Sequence, residues 1–582
     1  MGKRAKGRSL AEFSSLSAAE MQIREAAASG DLAKIGETRP EAPSEACAVR
    51  AEFLRFLALG GDEWAPVHET GLQVRGAWIT GTLDLSYAEI AGALKLVKCG
   101  FAKTPKLYDA QIRGLFSLAG SAVPGLRADR LNCRSSVFLR NRFTARGEIS
   151  LLGATIGGNL ACTKGTFENR DGSAISADGI KVGGSVFMRG GFSARGAIRL
   201  RGATIGGSLD CTKGTFENQD QNPKRQALVA DRIKVGGNVV MGNKFCARGE
   251  VRLPGATIGG DLVCRGGTFE NSKDAAIVCE GVVVSGRLFF ERVKIAGGTV
   301  KLTVAHVAHL VDDLQSWPEN IILDGFVYDS FAGDAPTTAK DRLAWLDKQS
   351  AGYSGKAKNP RAFRPQPWLQ LRKVLREQGH LEDSRQVAIA FEDRKRECGV
   401  IGEITAPAAA GEIVTCFRQW LQSRTARGFH WLYGCLIGYG YRPARLFWSL
   451  VAVWLAGTVL FDIGGHSRVF GPTDPQIFTN AAYDSCNPEK NPRANWTRCQ
   501  TFPRAYPAFY PPLYALDVLL PVGKLGQQDH WAPLDPKGAR TPANKALAWA
   551  TQIAVWGETL FGWIAGLLLV ATVTGLAKRH DE

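Results

Sequence analysis

A right-handed parallel β-helix of the pentapeptide-repeat-like kind, followed by an α-helical adaptor and a two-span membrane domain, is the architecture this sequence predicts. Three observations carry the prediction. First, Gly-Ala-Thr-Ile-Gly-Gly begins at Gly153, Gly202 and Gly255, so the period is 49 and then 53 residues, the extra length falling near Asp220–Gln226. A fixed period marks a solenoid, whose repeats bury their apolar sides only against neighbours. Second, the 49-residue unit is a doublet, since Ile156-Gly-Gly-Asn-Leu160-Ala-Cys162 is echoed by Val182-Gly-Gly-Ser-Val186-Phe-Met188. Each coil is therefore about twenty residues plus a loop. Third, two long apolar stretches lie near the C-terminus.

Within the repeats, apolar residues alternate in short groups separated by Gly, as in Ile149, Leu151, Ala154, Ile156, Leu160 and Cys162. Alternation indicates short strands with one face buried, and the glycines are expected to supply the positive φ of tight corners. Ile156, Ile205 and Ile258, with Cys162, Cys211 and Cys264, form the expected inward core ladder. A metal or redox relay would need ligands converging on one point, whereas these thiols are spread along the axis and no Cys-x-x-Cys occurs. Buried packing is the expected role of the cysteines.

Four regions follow: a helical cap over 1–70, the β-helix over 71–310, a linker and αα-hairpin over 311–430, and a membrane domain over 431–582. In the cap, Leu16–Gly36 and Ser44–Leu59 read as short amphipathic helices that cover the open solenoid end. The basic start Met1-Gly-Lys-Arg-Ala-Lys leads into no apolar run, so a secretory signal is not expected. After Leu310, Thr337–Gln349 is a candidate helix and Ala351–Pro367 a linker. Two further helices, ending at Gly379 and running over Leu381–Glu397, form a hairpin like a tetratricopeptide unit, with Arg394-Lys-Arg396 at a basic end expected to face the membrane.

Leu446–Ile463 and Ala554–Leu576 are long enough to span a bilayer. Arg424, Arg427, Arg442 and Arg445 precede the first, and Lys578 and Arg579 close the second, so both termini are expected in the cytoplasm. The loop between the spans holds Cys486 and Cys499, for which an oxidising exterior favours a disulfide. Phe509–Val522 is apolar but too short to cross, and suits a re-entrant half-helix. Pro521-Val-Gly-Lys-Leu-Gly after it is no potassium filter, and Gly438-Tyr-Gly440 lies before the first span. Glu558 is the one ionisable residue of the second span, expected near the outer headgroups.

Charge narrows the partners. The chain carries a net +17, and between Gly71 and Val300 there are 32 Lys/Arg against 18 Asp/Glu, so the solenoid is the basic part. This excludes acidic DNA mimicry and suits membrane lipid, nucleic acid or an acidic protein. Nucleotide, hydrolase and zinc-protease motifs are absent, so no catalytic, cofactor or metal residue is assigned, and His306 and His309 read as surface residues.

Several segments together are familiar: Val74-Arg-Gly-Ala-Trp-Ile-Thr-Gly-Thr-Leu-Asp-Leu, the Gly-Ala-Thr-Ile-Gly-Gly coils, Pro365-Gln-Pro-Trp, Gly438-Tyr-Gly-Tyr-Arg-Pro and Leu516-Asp-Val-Leu-Leu-Pro with Leu525-Gly-Gln-Gln-Asp. Over nearly the whole chain the sequence resembles a bacterial family of membrane-anchored pentapeptide-repeat-like proteins often labelled "membrane-associated oxidoreductase". The resemblance implies a bacterial inner-membrane location and transfers no catalytic residue. The expected role is a scaffold or sensor with no catalysis. A channel-like or transport protein with a pore of oligomerised spans stands second and an oxidoreductase third.

Overall fold

The computed structural model describes residues 9–13, 15–218, 226–272, 274–403, 413–503, 505–520, 523–538 and 541–573. The basic N-terminus, most of the longer repeat loop at 220–226, residues 521–522 after the half-helix, and Lys578 and Arg579 with the end of the second expected span lie outside the described residues. The chain divides into two compact units, Met1–Ala388 and Ile389–Glu582.

The first unit is a parallel β-solenoid. Most of its coils present four short strands, many of them two residues long, each paired in parallel with the same strand of the next coil. One inward column reads Ile112, Cys133, Ile156, Val182, Ile205, Val235, Ile258, Val284 and Val307. Ile156, Ile205 and Ile258 are all buried in it, on every second coil with valine between. Register places Cys162, Met188, Cys211, Met241, Cys264 and Phe290 in a second buried column. Strands continue past the expected boundary at 310 to Val327–Phe331, and pairing begins before 71, at Ala33–Lys34.

A third column explains why the repeat is a doublet. At one corner Phe143, Phe192 and Phe245 alternate with Gly165, Gly214 and Gly267, and two residues on, Ala145, Ala194 and Ala247 alternate with Phe167, Phe216 and Phe269. The six rings form one continuous stack with centroids 5.1 to 5.5 Å apart. Two phenylalanines in one coil would overfill the corner, so large and small residues exchange places coil by coil.

Gly153, Gly202 and Gly255, which open the hexapeptides, take positive φ as expected, whereas the Gly-Gly pairs that close them serve a different purpose. Gly157, Gly183, Gly206, Gly236 and Gly259 do not adopt positive φ. A Cβ on Gly183, Gly206, Gly236 or Gly259 would strike the carbonyl oxygen of the matching glycine in the coil before, and on Gly157 that of Arg134. Close backbone approach is what excludes every other residue. The Asn or Ser that follows builds a polar ladder: the backbone N–H groups of Asn159, Ser185, Ser208, Asn238 and Asp261 donate to the side-chain oxygens of Ser136, Asn159, Ser185, Ser208 and Asn238, at 2.8 to 3.0 Å.

Both ends of the solenoid are closed. At the N-terminal end α1 (Ala18–Ser29) begins with a capping box of Ser17 and Glu20, and α2 (Ala51–Ala58) buries Phe53, Leu54, Phe56 and Leu57. These helices are shorter than the sequence suggests, because strand residues Ala33–Lys34 and Ala48–Arg50 add edges to the first full coil. Burial opposes ionisation of Glu20, yet hydrogen bonds from Arg50 and Ser17 hold its carboxyl below the usual range.

At the other end lie α3 (Ala339–Leu346), α4 (Gln366–Glu377) and the start of α5 (Leu381–Cys398). The hairpin turn sits at Gly379, with φ +85°. Rather than a freestanding adaptor, α4 is the solenoid's cap. Gln366 bonds Gly325 N–H and Phe326 O, Gln370 bonds Tyr328 O, and Gln378, just beyond the helix, bonds both N–H and C=O of Phe331. Side-chain amides thus replace the missing next strand. Gln370→Leu, which leaves Tyr328 O without this partner, should cost about 1–3 kcal/mol, read as a lowered denaturation midpoint.

The second unit contains the rest of α5, α6 (Ile413–Ile437), α7 (Ala444–His466), the short α8 (Pro475–Thr479), α9 (Pro511–Leu519) and α10 (Pro542–Val573). The sequence reading has no counterpart of α6, and α10 begins twelve residues before the expected span. α7 and the Pro542–Ala571 part of α10 are long and apolar enough to cross a membrane, and only 17% of each apolar window is buried. Large apolar side chains therefore face outward along them, among them Phe447, Leu455, Val459, Leu560 and Leu567.

Candidate functional site

The feature that stands apart on the solenoid is a column of corner residues. In nine successive coils the register brings together Lys98, Gly120, Arg142, Lys164, Gly191, Lys213, Lys244, Gly266 and Arg292. All nine have positive φ, between +51° and +95°. Glycine takes this conformation freely, whereas an L-residue pays about 1–2 kcal/mol. Where the column is not glycine it is lysine or arginine, six times. At about 4.8 Å per coil the ridge runs about 38 Å.

Arg142, Lys164, Lys213, Lys244 and Arg292 are exposed, and no ion pair among the described residues engages the six cations. On another strand column charges do pair. Glu168, Arg195, Glu217, Arg248 and Glu270 occupy neighbouring positions of one strand column and pair along it. The solenoid's basic excess is therefore displayed in part as a straight, uncompensated row. The composition showed the excess but not its arrangement. The signal that locates it is the repeated Cys-Thr-Lys at 162–164 and 211–213, a cation two residues after the buried column.

The thiols of the cysteine column are buried and shielded from ionisation. Burial pushes the Cys162 thiol up to about 12, and burial raises Cys211 and Cys264 as well. Such burial disfavours the thiolate form that a nucleophile or metal ligand uses. His306 and His309 contact Asp329 and Ser330, and among the described residues no group of three metal-ligating side chains exists.

In the second unit Cys486 and Cys499 are joined by a disulfide, with Cα atoms 5.3 Å apart. Cys486 belongs to a buried aromatic cluster with Phe461, Phe470, Trp496, Tyr514 and Trp531. Cys486→Ser should lower stability by about 3 kcal/mol through the released loop entropy, seen as a fall in melting temperature that reductant reproduces in the parent.

The Leu516-Asp and Leu525-Gly-Gln-Gln segments are joined by one carboxylate. Asp517 of α9 is buried and accepts from the N–H groups of Leu525, Gln527 and Gln528, each at 2.8 Å. Gln527 in turn donates to Ala508 O and accepts from Tyr510 N–H. These residues close the return loop of the half-helix.

The Gly-Tyr-Gly-Tyr segment is a helix corner. Tyr439, at φ +56°, donates to Asp393 at 2.7 Å, accepts from Arg396 at 2.8 Å and lies 4.7 Å from the His430 ring. Lys395 and His430 flank Glu392, whose carboxyl is opposed by burial but held low by hydrogen bonds from both. Arg396 and Lys395 are thus engaged in pairs, with Asp393 and Glu392. Nearby, α6 exposes Phe417, Trp420, Leu421, Phe429 and Trp431.

Glu558 lies in the interior of α10, its side chain pressed on Gly457 of α7, and not at a helix end. No protein family, no curated protein and no solved structure matches the chain, so its architecture rests on its own geometry: a parallel β-solenoid joined to an α-helical region with two helices fit to cross a membrane.

Proposed function

We propose that the protein is an inner-membrane-anchored scaffold or sensor whose cytosolic solenoid holds an extended anionic partner, namely lipid headgroups, nucleic acid or an acidic protein surface. The basic ridge from Lys98 to Arg292 carries this reading. A straight row of cations on a rigid rod suits a partner with repeated negative charge, and lacks the concavity that a small substrate requires. Anchoring is supported by the length and outward-facing apolar side chains of α7 and α10 and by the exposed aromatic residues of α6. Arg424, Arg427, Arg442 and Arg445 before α7 favour a cytoplasmic start, which leaves the disulfide loop outside.

The ridge offers a clean test. Replacing Lys164, Lys213 and Lys244 together with glycine removes three charges at positions where Gly120, Gly191 and Gly266 already stand in the same column. Folding should be preserved, since the backbone conformation there favours glycine. Binding of the full-length protein, in nanodiscs of zwitterionic lipid, to anionic vesicles, RNA or a polyglutamate peptide should weaken at least tenfold for the true partner class. For a nucleic acid, the slope of log K against log salt should fall by about 2–3. Unchanged binding to all three probes would remove the proposal.

A channel-like role is the second reading. Its support is α9, a half-helix packed on both long helices, with the Leu519 carbonyl seated against Gly562 of α10. A closed oligomeric ring on sizing in detergent would favour it.

A further inference from the structure

The seam between α7 and α10 contains one carboxyl group, that of Glu558. The residue is buried, its Oε2 has no hydrogen-bond partner, and no ion pair among the described residues reaches it. A Cβ built on Gly457 would fall on the Glu558 carboxyl, so the glycine makes the space the acid occupies. Gly457 is the fourteenth of the 23 residues of α7, which puts the contact near the middle of that helix. The flanking residues of α10, Trp556, Leu560 and Trp563, are exposed and apolar. From α9 the titratable groups on this side are Tyr514, buried, and Asp517, already held by three backbone N–H groups. No lysine, arginine or histidine among the described residues of α7, α9 or α10 pairs with the acid.

We propose that Glu558 is a proton-binding site within the membrane, occupied by a proton in the conformation described. The inference rests on the reading of α7 and α10 as spans. An ionised carboxylate without partner in such a seam is costly, whereas the neutral acid loses far less on leaving water. A metal cation is a poor occupant, because sodium or calcium needs several oxygen ligands and the seam supplies one carboxyl group without a cluster around it. Release of the proton then requires the Gly457 contact to part and admit water, so protonation and packing of the two helices are linked.

Dicyclohexylcarbodiimide, an apolar reagent, tests this on the full chain in its membrane. The reagent takes up the acid's proton on one nitrogen and the carboxyl oxygen on its central carbon, then rearranges to an N-acylurea with nothing lost. Peptide mass spectrometry should find the adduct at Glu558 below neutral pH, at least tenfold less by pH 9, and none in Glu558→Gln. The Gln variant should fold and melt at the same temperature from pH 6 to 9, while the parent loses melting temperature as pH rises. Carbonate-resistant membrane protein that is unlabelled at Glu558 at every pH, or a parent and variant with the same pH profile, would overturn the proton site alone. Protein released from membranes without detergent would instead overturn the spanning reading.

Discussion

Arg342→Met should be among the most damaging single substitutions in the solenoid. Arg342 and Asp312 are both fully buried and meet in a two-pronged pair, each hydrogen bond 2.8 Å long. Trp317 Nε1 donates to the same carboxylate at 2.8 Å, and the guanidinium stacks 3.8 Å from the Phe331 ring centroid. Asp312 stands in the column that elsewhere holds Cys264 and Phe290, so the apolar stack ends in a charge that the cap must meet. Methionine keeps the volume and removes the partner, which leaves a buried carboxylate. The expected loss is about 3–5 kcal/mol, measured as a shift in the denaturation midpoint followed by the fluorescence of the neighbouring Trp317 and Trp345. The double change Asp312→Leu with Arg342→Met should recover part of it, because an apolar pair of similar size owes no desolvation, while Trp317 Nε1 loses its acceptor. A double mutant as unstable as Arg342→Met would show that packing, not charge, closes this end.

Ile205→Asp should be comparably severe. Ile205 is buried between Val182 and Val235 of the adjoining coils, in a column with no polar side chain from Ile156 to Ile258. Ile205→Ala should cost about 2–5 kcal/mol, since the backbone ladder prevents neighbouring coils from closing the cavity. The aspartate adds the burial of a charge without partner, and should abolish accumulation of folded protein at 37 °C. Cys211→Ala, one corner away, should shift stability by far less and leave partner binding intact. Loss of binding there without unfolding would reopen a chemical role for the cysteine column.

Much of this was legible in the repeats. The Gly-Ala-Thr-Ile-Gly-Gly copies reveal the coil and its inward residues because burial alternates strictly along a strand. The doublet was equally visible, but its cause was not. Phe143 and Gly165 lie 22 residues apart and become complementary only when register places one above the other. The same holds for Gly183 and Gly206, whose requirement is contact between backbones and not the positive φ of a corner. The glutamines at 366, 370 and 378 read as an ordinary helical surface, and acquire meaning only where a strand edge would otherwise end in unpaired amides. In the second unit, α6 is hidden from periodicity because its apolar residues follow no single face, and the interior position of Glu558 in α10 emerges only because that helix starts at Pro542.

By itself, then, the sequence determined the solenoid, its inward isoleucines and cysteines, the sign of its charge, and two stretches apolar enough to cross a bilayer. Each of these is a local or periodic property, readable from spacing and composition. Only the tertiary structure decided which residues become neighbours across coils and helices: the row of lysines and arginines at left-handed corners, the Asp312–Arg342 closure, the glutamine cap and the carboxyl of Glu558 against Gly457. Those depend on register and on the close approach of separate segments, which set whether a charge is solvated, paired or stranded, and no periodicity in a single strand or helix encodes that.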